Sequence, residues 1–583
     1  MRRWKRRSKG CNFFPQGGAF RKGAPFFYAP PFRAPLFAPA QGDGARTGEG
    51  RLIFPSFAHT CGVEKKNDAR FTESVQENVK LLKGILPAED VLVYPFETRD
   101  GRPCAAVYAD GITDKELLGR LAAEPLSRAG APGSLAEARG RILFPESKEA
   151  QGAEEAAKEV LAGNPALFID GIAGALVLGT KKVSLRAIME PQTAIAVKGP
   201  REGFIEDVKT NMSLVRRRLK TPALRFRTLT MGRLSDTAVC VCWLEGTANG
   251  EIVRRIEGKL AAVDTDGVPD SSYVAKFLAE RPLSLFKQAG TTEKPDIFCA
   301  KLLEGRVGVL VDGSPIALTL PYMLVEDFQS SQDYFVTPYR ATVSRLLRML
   351  AVVLSLFLPA LYVAAQLFKL QLLPFGLLMT VSGGIQDLPL SPSLEMFFLL
   401  AVLEILIEAS IRMPKYVALA LSVIGALVLG DTAVKAGLVS SPAIIIVALS
   451  GISAYTVPDL TGTLSLVRLA LLLAAGSIGT YGVVLLAALI LYYLVTADSY
   501  GVPPLAPFSP LVRRDLRDAA YKASVFSLRE RPATLRGKNR TRLRTSGPAQ
   551  GAKGGTQAQN GSKTGERTAE NENTTNGQEG NHG

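Results

Sequence analysis

Histidine is almost missing from this 583-residue chain, which has two, His59 and His582, both towards the termini. Histidine-based acid–base catalysis and histidine-ligated metal therefore have nothing to work with in a folded core. Cysteine is sparse as well, at six: Cys11, Cys61, Cys104, Cys240, Cys242 and Cys299. Cys240 and Cys242 lie two apart in an apolar strand-like run, so both thiols face one side, and no second pair completes a zinc set. They read as buried or free thiols of a reducing compartment. The stretch Gly174-x4-Gly179 is followed by Thr180 before Lys181 and lies in a strand pattern, which departs from a phosphate-binding loop. No nucleophile–base set, metal set or nucleotide motif appears, so neither an enzyme nor a cofactor is expected.

Charge is plentiful but misplaced for a nucleic-acid binder. Residues 1–51 hold 11 Lys/Arg against 2 Asp/Glu, and residues 513–583 hold 14 against 7. Those two ends account for essentially all of the chain's +15 and leave the middle close to neutral. A basic tail beside a bilayer favours an anionic leaflet, so a lipid bilayer is the expected partner and nucleic acid is not. The basic start is not followed by the short apolar run of a signal peptide. Residues 1–65 read as a disordered extension, or as sequence upstream of a true start near Val63.

The apolar residues are concentrated in 346–495, in blocks at 346–368, 396–411, 417–434 and 469–495. A membrane helix takes roughly 20 mostly apolar residues, and backbone in hydrocarbon must satisfy its own hydrogen bonds. The expectation is an N-terminal α/β soluble region joined to a polytopic all-α transmembrane bundle at 340–500. An amphipathic cytoplasmic segment follows at 501–535 and a disordered polar tail at 536–583.

The soluble region reads as two related subdomains, 70–195 and 196–330. In the first, Phe71, Val75, Val79 and Leu82 have helical spacing, a strand covers 90–96, and Asp114 caps a helix over 115–123. The pattern recurs about 135 residues later, with Asn249 capping a helix over 251–260 and Glu245 standing where Asp110 stands. Asp170-Gly171 and Asp312-Gly313 each separate two apolar runs, a strong hairpin signal. A further helix starts near Gly203 and ends at Arg216, Arg217 and Arg218, basic residues suited to a helix C-terminus. Those arginines read as solvated charges with an intersubunit salt bridge, or as an anion or lipid site.

Several segments together resemble one family. The run 198–206, KGPREGFIE, is followed by Asn211 and by Arg216-Arg217-Arg218-Leu219. Then come WLEGTAN at 243–249, TEKPD at 292–296, LEGRV at 303–307 with VDGSP at 311–315, DYF at 333–335, LPALY at 358–362, GVPPLAP at 501–507 and RDLRD at 514–518. In this order they resemble the GerA-family spore germination proteins over about residues 70–518. Lys294 departs from the arginine usual in the TEKPD position. The resemblance implies the A subunit of a nutrient germinant receptor, or an accessory relative like stage V sporulation protein AF that acts without its own nutrient site. It implies the inner membrane of the endospore, permease-like B and lipoprotein C subunits as partners, and self-association into a homo-oligomer forming a nutrient-gated ion channel. The assembly or coupling candidates are then Arg201, Glu202, Arg216, Arg217, Arg218, Glu245, Glu304, Arg306 and Asp312.

The apolar block itself carries features of a gated path. Arg340, Arg345 and Arg348 flank the first helix and place the soluble region on the cytoplasmic, spore-core side. Arg513, Arg514 and Arg517 do the same for the C-terminus. Both ends inside require an even number of crossings; either a short segment at 372–381 crosses, or 442–457 dips in and returns. The second carries Ser450, Ser453 and Tyr455 and reads either as broken backbone, tolerated at membrane depth only beside a cavity, or as a short helix packed by small residues. Pro359 is expected to kink the first helix. Glu404, Glu408 and Arg412 fall at i, i+4 and i+8 on one helix face, which reads as a pore-lining carboxylate row or, alternatively, an internal Glu408–Arg412 pair.

Overall fold

The computed structural model describes residues 70–142, 144, 146–181, 199–368, 388–412 and 428–543, with scattered positions in 369–387 and 413–427. The readings made for 1–65, for the short segment 372–381, for most of 417–427 and for the tail beyond 543 lie outside these residues.

Two five-stranded sheets form the N-terminal half. The first holds β1 (Val91–Glu97), β2 (Pro103–Ala109), β3 (Ser147–Ala150), β4 (Ala166–Ile169) and β5 (Ala175–Leu178) in the order β1-β2-β4-β5-β3. The second holds β6 (Leu224–Met231), β7 (Thr237–Leu244), β8 (Gly290–Thr292), β9 (Val307–Val311) and β10 (Ala317–Leu320) in the order β6-β7-β9-β10-β8. The two orders coincide position by position, and every pairing is antiparallel. The Asp-Gly turns create the β4–β5 and β9–β10 hairpins, with Gly171 and Gly313 both at φ 80°.

Helices cover both faces of each sheet, so the central strands are buried throughout and read as continuous apolar runs. On the first sheet, α1 (Val75–Ile85) and α2 (Ala153–Ala162) share one face. On the second, α3 (Val208–Arg218) and α5 (Pro295–Glu304) take one face and α4 (Gly250–Ala261) the other. Strand period two divides β7 between them: Cys240 and Cys242 pack with α3 and α5, while Val239 and Val241 pack with α4. The two Sγ atoms lie 3.9 Å apart.

Paired side chains repeat the likeness in detail. Asn78 accepts from Thr72 N at 2.8 Å and donates to Thr72 O at 2.7 Å; Asn211 does the same with Ile205 at 2.9 and 2.6 Å. Asp170 accepts from Val75 N at 3.2 Å and Asp312 from Val208 N at 3.1 Å, each tying a hairpin to the start of α1 or α3. The α3 boundary corrects the sequence reading. The helix begins at Val208 with Asp207 as its cap, because Asn211 holds the backbone of Ile205 outside it.

Beyond the second sheet stand α6 (Pro338–Phe368), α7 (Pro392–Arg412), α8 (Ser441–Ala454), α9 (Thr461–Ile478) and α10 (Thr480–Thr496). Among the described residues, two helices are long and apolar enough to cross a membrane, Pro338–Phe368 and Pro458–Ile478. At 1.5 Å per residue α6 runs about 46 Å and α8 about 21 Å. Helix α6 continues through the buried Pro359 without a break. Of the two readings of 442–457, broken backbone is corrected and the short helix holds: α8 is an unbroken helix capped by Ser440, and the chain leaves it only at Tyr455. Its unbranched start and its run of Ile444, Ile445 and Ile446 are compatible with helix once α6 and α7 pack beside it.

Candidate functional site

Charged side chains gather where the second sheet meets the base of α6. Gly305, at φ 106°, ends α5 and swings Glu304 and Arg306 towards the connector between β10 and α6. Arg306 is 2% exposed; it donates to Pro321 O at 2.8 Å and pairs with Glu326. Lys301 holds the other oxygen of Glu326 at 2.5 Å, and Met323 N donates at 2.7 Å to the oxygen that Arg306 holds. Burial alone would raise the Glu326 pKa, but Arg306 and Lys301 outweigh it and bring it down to about 2.

A second group links the connector to the far helices. Lys287 bridges Asp327 at 2.6 Å and Asp459, just before α9, at 3.0 Å. Tyr322 donates to Asp327 at 2.6 Å. The loop around Lys287 also receives Thr463 on Leu285 O at 3.0 Å and Tyr493 on Ser284 at 2.9 Å. The bases of α9 and α10 are thus pinned to the second sheet's own loop.

The third group surrounds Arg345, whose side chain is fully buried on α6. It pairs with Asp333 of the connector at 3.0 Å and with Asp518 of the C-terminal segment at 3.2 Å. Arg348, one turn on, shares Asp333. Lys522 holds Asp518 at 3.0 Å and lies 3.8 Å from the centre of the Tyr334 ring. Burial pushes the Lys522 pKa down despite Asp518. The fully buried guanidinium of Arg345 and the half-buried one of Arg348 are therefore tied into the fold, rather than being the free flanking charges the sequence reading used for orientation.

The segments quoted for the family resemblance meet at this junction. Gly199, at φ 112°, packs so closely that a Cβ there would lie 2.5 Å from the Phe335 ring, joining the GPREGF and DYF stretches. Phe204 N donates to Glu293 O at 2.7 Å, and the Phe204 and Phe298 rings sit edge to face at 5.5 Å, joining GPREGF to TEKPD.

The family model described as "Bacillus/Clostridium GerA spore germination protein" matches residues 73–534. This chain belongs to the GerA family. It is 30% identical to spore germination protein KA of Bacillus subtilis (strain 168) over 491 residues, covering 82% of this chain and 90% of that one. It is 34% identical to spore germination protein GerQA of Bacillus cereus over 413 residues, covering 70% and 83%. It is 30% identical to the uncharacterized membrane protein YfkQ of Bacillus subtilis (strain 168), covering 81% and 93%. A crystal structure of the N-terminal domain of the A subunit of the Bacillus megaterium spore germinant receptor GerK3 aligns with TM-score 0.36 and 24% identity, over 44% of this chain and 98% of that one.

The residues singled out from the sequence of this GerA protein fall in several separate places. Glu304 and Arg306 stand in the junction. Arg216 is 1% exposed and reaches Asp90 of the first sheet twice, at 2.7 and 2.8 Å. It is a bridge within the chain between the two sheets, which corrects the solvated and intersubunit reading; no local pattern marks Asp90 as its partner, 126 residues away. Arg217 and Arg218 share Glu202 at 2.5 and 2.7 Å, Glu245 pairs with Arg225 at 2.5 Å, Asp312 accepts from Val208 N at the start of α3, and Arg201 is exposed.

The helical block holds the remaining candidates. Glu408 pairs with Arg412 on α7, both exposed, whereas Glu404 turns across to Arg468 of α9. Arg468 is 2% exposed and also donates to Ser450 at 3.1 Å, which in turn donates to Ser355 O at 2.9 Å. Ser453 is buried and Tyr455 exposed. The three-residue row thus divides between two pairs. Arg468 escapes a reading that starts its apolar block at 469; a cation inside an apolar helix is the same signal that marked Glu404.

Proposed function

We propose that this GerA-family chain is the A subunit of a spore germinant receptor, a multi-pass protein of the endospore inner membrane. It works with permease-like and lipoprotein partners in an oligomer that passes ions when nutrient is sensed. The observation that carries this reading is the cage around Arg345. One buried guanidinium on a helix long enough to cross a bilayer is held by the connector from the second sheet and by the segment that returns after α10. On this reading a displacement of the second sheet reaches α6 through these contacts.

The related strand orders support treating 70–195 and 196–330 as duplicated subdomains that form the assembly and coupling platform. An apolar collar supports membrane burial: Leu346, Leu347, Leu350, Leu473, Val484 and Leu485 are all more than half exposed, more apolar surface than a water-soluble bundle tolerates. Within that bundle the Glu404–Arg468–Ser450 group is the polar contact that opening would rearrange, since a ligand can shift a gate only by contacts that differ between its states. Nutrient-triggered potassium release from spores with and without this chain tests the reading. Release that depends on the chain supports it; identical release from both spore types, in the absence of a second receptor, would sink it.

A further inference from the structure

The C-terminal segment does more than close the Arg345 cage. It encloses a cleft of about 170 Å³ whose walls include Arg517, Arg529, Arg542, Glu304, Asp518 and Glu530. The acids there are already engaged, including Asp515, which also lines the cleft and accepts from Ala533 N at 3.1 Å and Thr534 N at 3.0 Å. Glu530 pairs with Arg514, Asp518 with Arg345 and Lys522, and Glu304 leans on Arg306 at 3.5 Å. Arg517, Arg529 and Arg542 have no side-chain ion pair or hydrogen bond among the described residues.

Arg529 and Arg542 also face one another. The backbone bridge between Glu530 and Thr541, with Arg542 N donating to Arg529 O at 2.8 Å, sets the two arginines across from each other on neighbouring strands of chain. Like charges directly opposite repel, and Glu304, already beside Arg306, eases this at Arg542 electrostatically without an ion pair to it. Guanidinium forks match phosphate oxygens in geometry and bind them with charge-assisted hydrogen bonds.

The position of the cleft names the source of the anion. Its wall residue Asp518 contacts Arg345, one residue before the exposed apolar collar of α6 begins at Leu346. Beside it, Phe526 is 79% exposed, Val525 65% and Leu511 61%. Exposed apolar side chains interleaved with arginines at the edge of an apolar collar fit the headgroup level of a bilayer.

We propose that the cleft formed by Arg517, Arg529 and Arg542 binds the phosphate of an anionic lipid headgroup, and so fastens the C-terminal segment to the membrane surface beside α6. This rests on the membrane reading above. The test is native mass spectrometry of the full chain in detergent, with phosphatidylglycerol, phosphatidylcholine or inorganic phosphate added. The expected result is retention of phosphatidylglycerol over phosphatidylcholine, with an apparent affinity lowered about tenfold or more in the Arg517→Gln/Arg529→Gln/Arg542→Gln variant. The matching Arg→Lys triple variant keeps the charge and the fold and should retain an intermediate preference. Equal phosphatidylglycerol retention by the Gln variant would overturn the proposal. So would binding of inorganic phosphate without any lipid preference, which would leave a soluble anion as the occupant. A chain recovered without detergent in the aqueous fraction overturns the membrane reading as well, whereas a detergent-requiring chain with no lipid preference overturns this proposal alone.

Discussion

Arg345 and Asp333 form an ion pair at 3.0 Å in which neither side chain is more than 3% exposed. One belongs to the first apolar helix and the other to the connector leaving the second sheet. A buried pair of this kind is weak evidence for stability, because desolvation offsets much of the attraction, but removing one partner strands the other. Arg345→Gln should therefore destabilise the chain by about 3–5 kcal/mol. The Asp333→Asn/Arg345→Gln double variant should lose clearly less than the sum of the singles. Thermal unfolding of all four proteins in detergent gives the coupling; strict additivity would show that the pair does not act as a unit.

The Glu326 carboxyl supplies a pH dependence. Its pKa falls from 4.5 to about 2 in the folded chain, so its contribution is fully present above the ordinary value and is lost as pH falls through the folded one. Glu326→Gln should be much less stable than the parent at pH 6. The gap between them should shrink as pH falls from about 4.5 towards about 2. A gap that stays constant down to pH 3 would mean that Glu326 is not held ionised by Arg306 and Lys301.

Arg216 and Asp90 join the two sheets, so their loss should show at the seam. Asp90→Asn leaves a buried guanidinium half satisfied and should cost about 3–5 kcal/mol. Hydrogen exchange should rise around Thr228, whose N donates to Glu89 at 2.9 Å, and along α3. Protection unchanged at both would count against the bridge.

Gly199 has no room for a side chain. Gly199→Ala adds a Cβ at a φ of 112° and against the Phe335 ring, and should cost about 1–3 kcal/mol from the backbone alone. Phe335→Ala should recover only the steric part. Full recovery in the double variant would show that the backbone conformation carries no strain.

Much of the N-terminal architecture was legible. The Asp-Gly hairpins, the Asp114 and Asn249 caps and the internal likeness of the two halves are all local signals, and local signals survive in sequence. The junction was legible only in pieces. Glu304 and Arg306 were singled out, but Glu326, Asp327, Asp333, Asp518 and Lys522 are brought to them from connectors and from a segment more than 170 residues away, as the Arg345–Asp518 contact shows. Charge pairing across such separations depends on the fold and leaves no periodicity to read. Glu404 was read with its helical neighbours for the same reason; its partner Arg468 lies 64 residues further on.

On the proposed reading, the Arg345 cage carries motion from the second sheet to the apolar helices. The most direct test is nutrient-triggered potassium release from spores carrying Arg345→Gln, with the amount of this chain in the spore membrane measured in parallel. Release that is lost or strongly delayed at a normal protein level is the predicted result. Release with parental kinetics at that level would contradict the account.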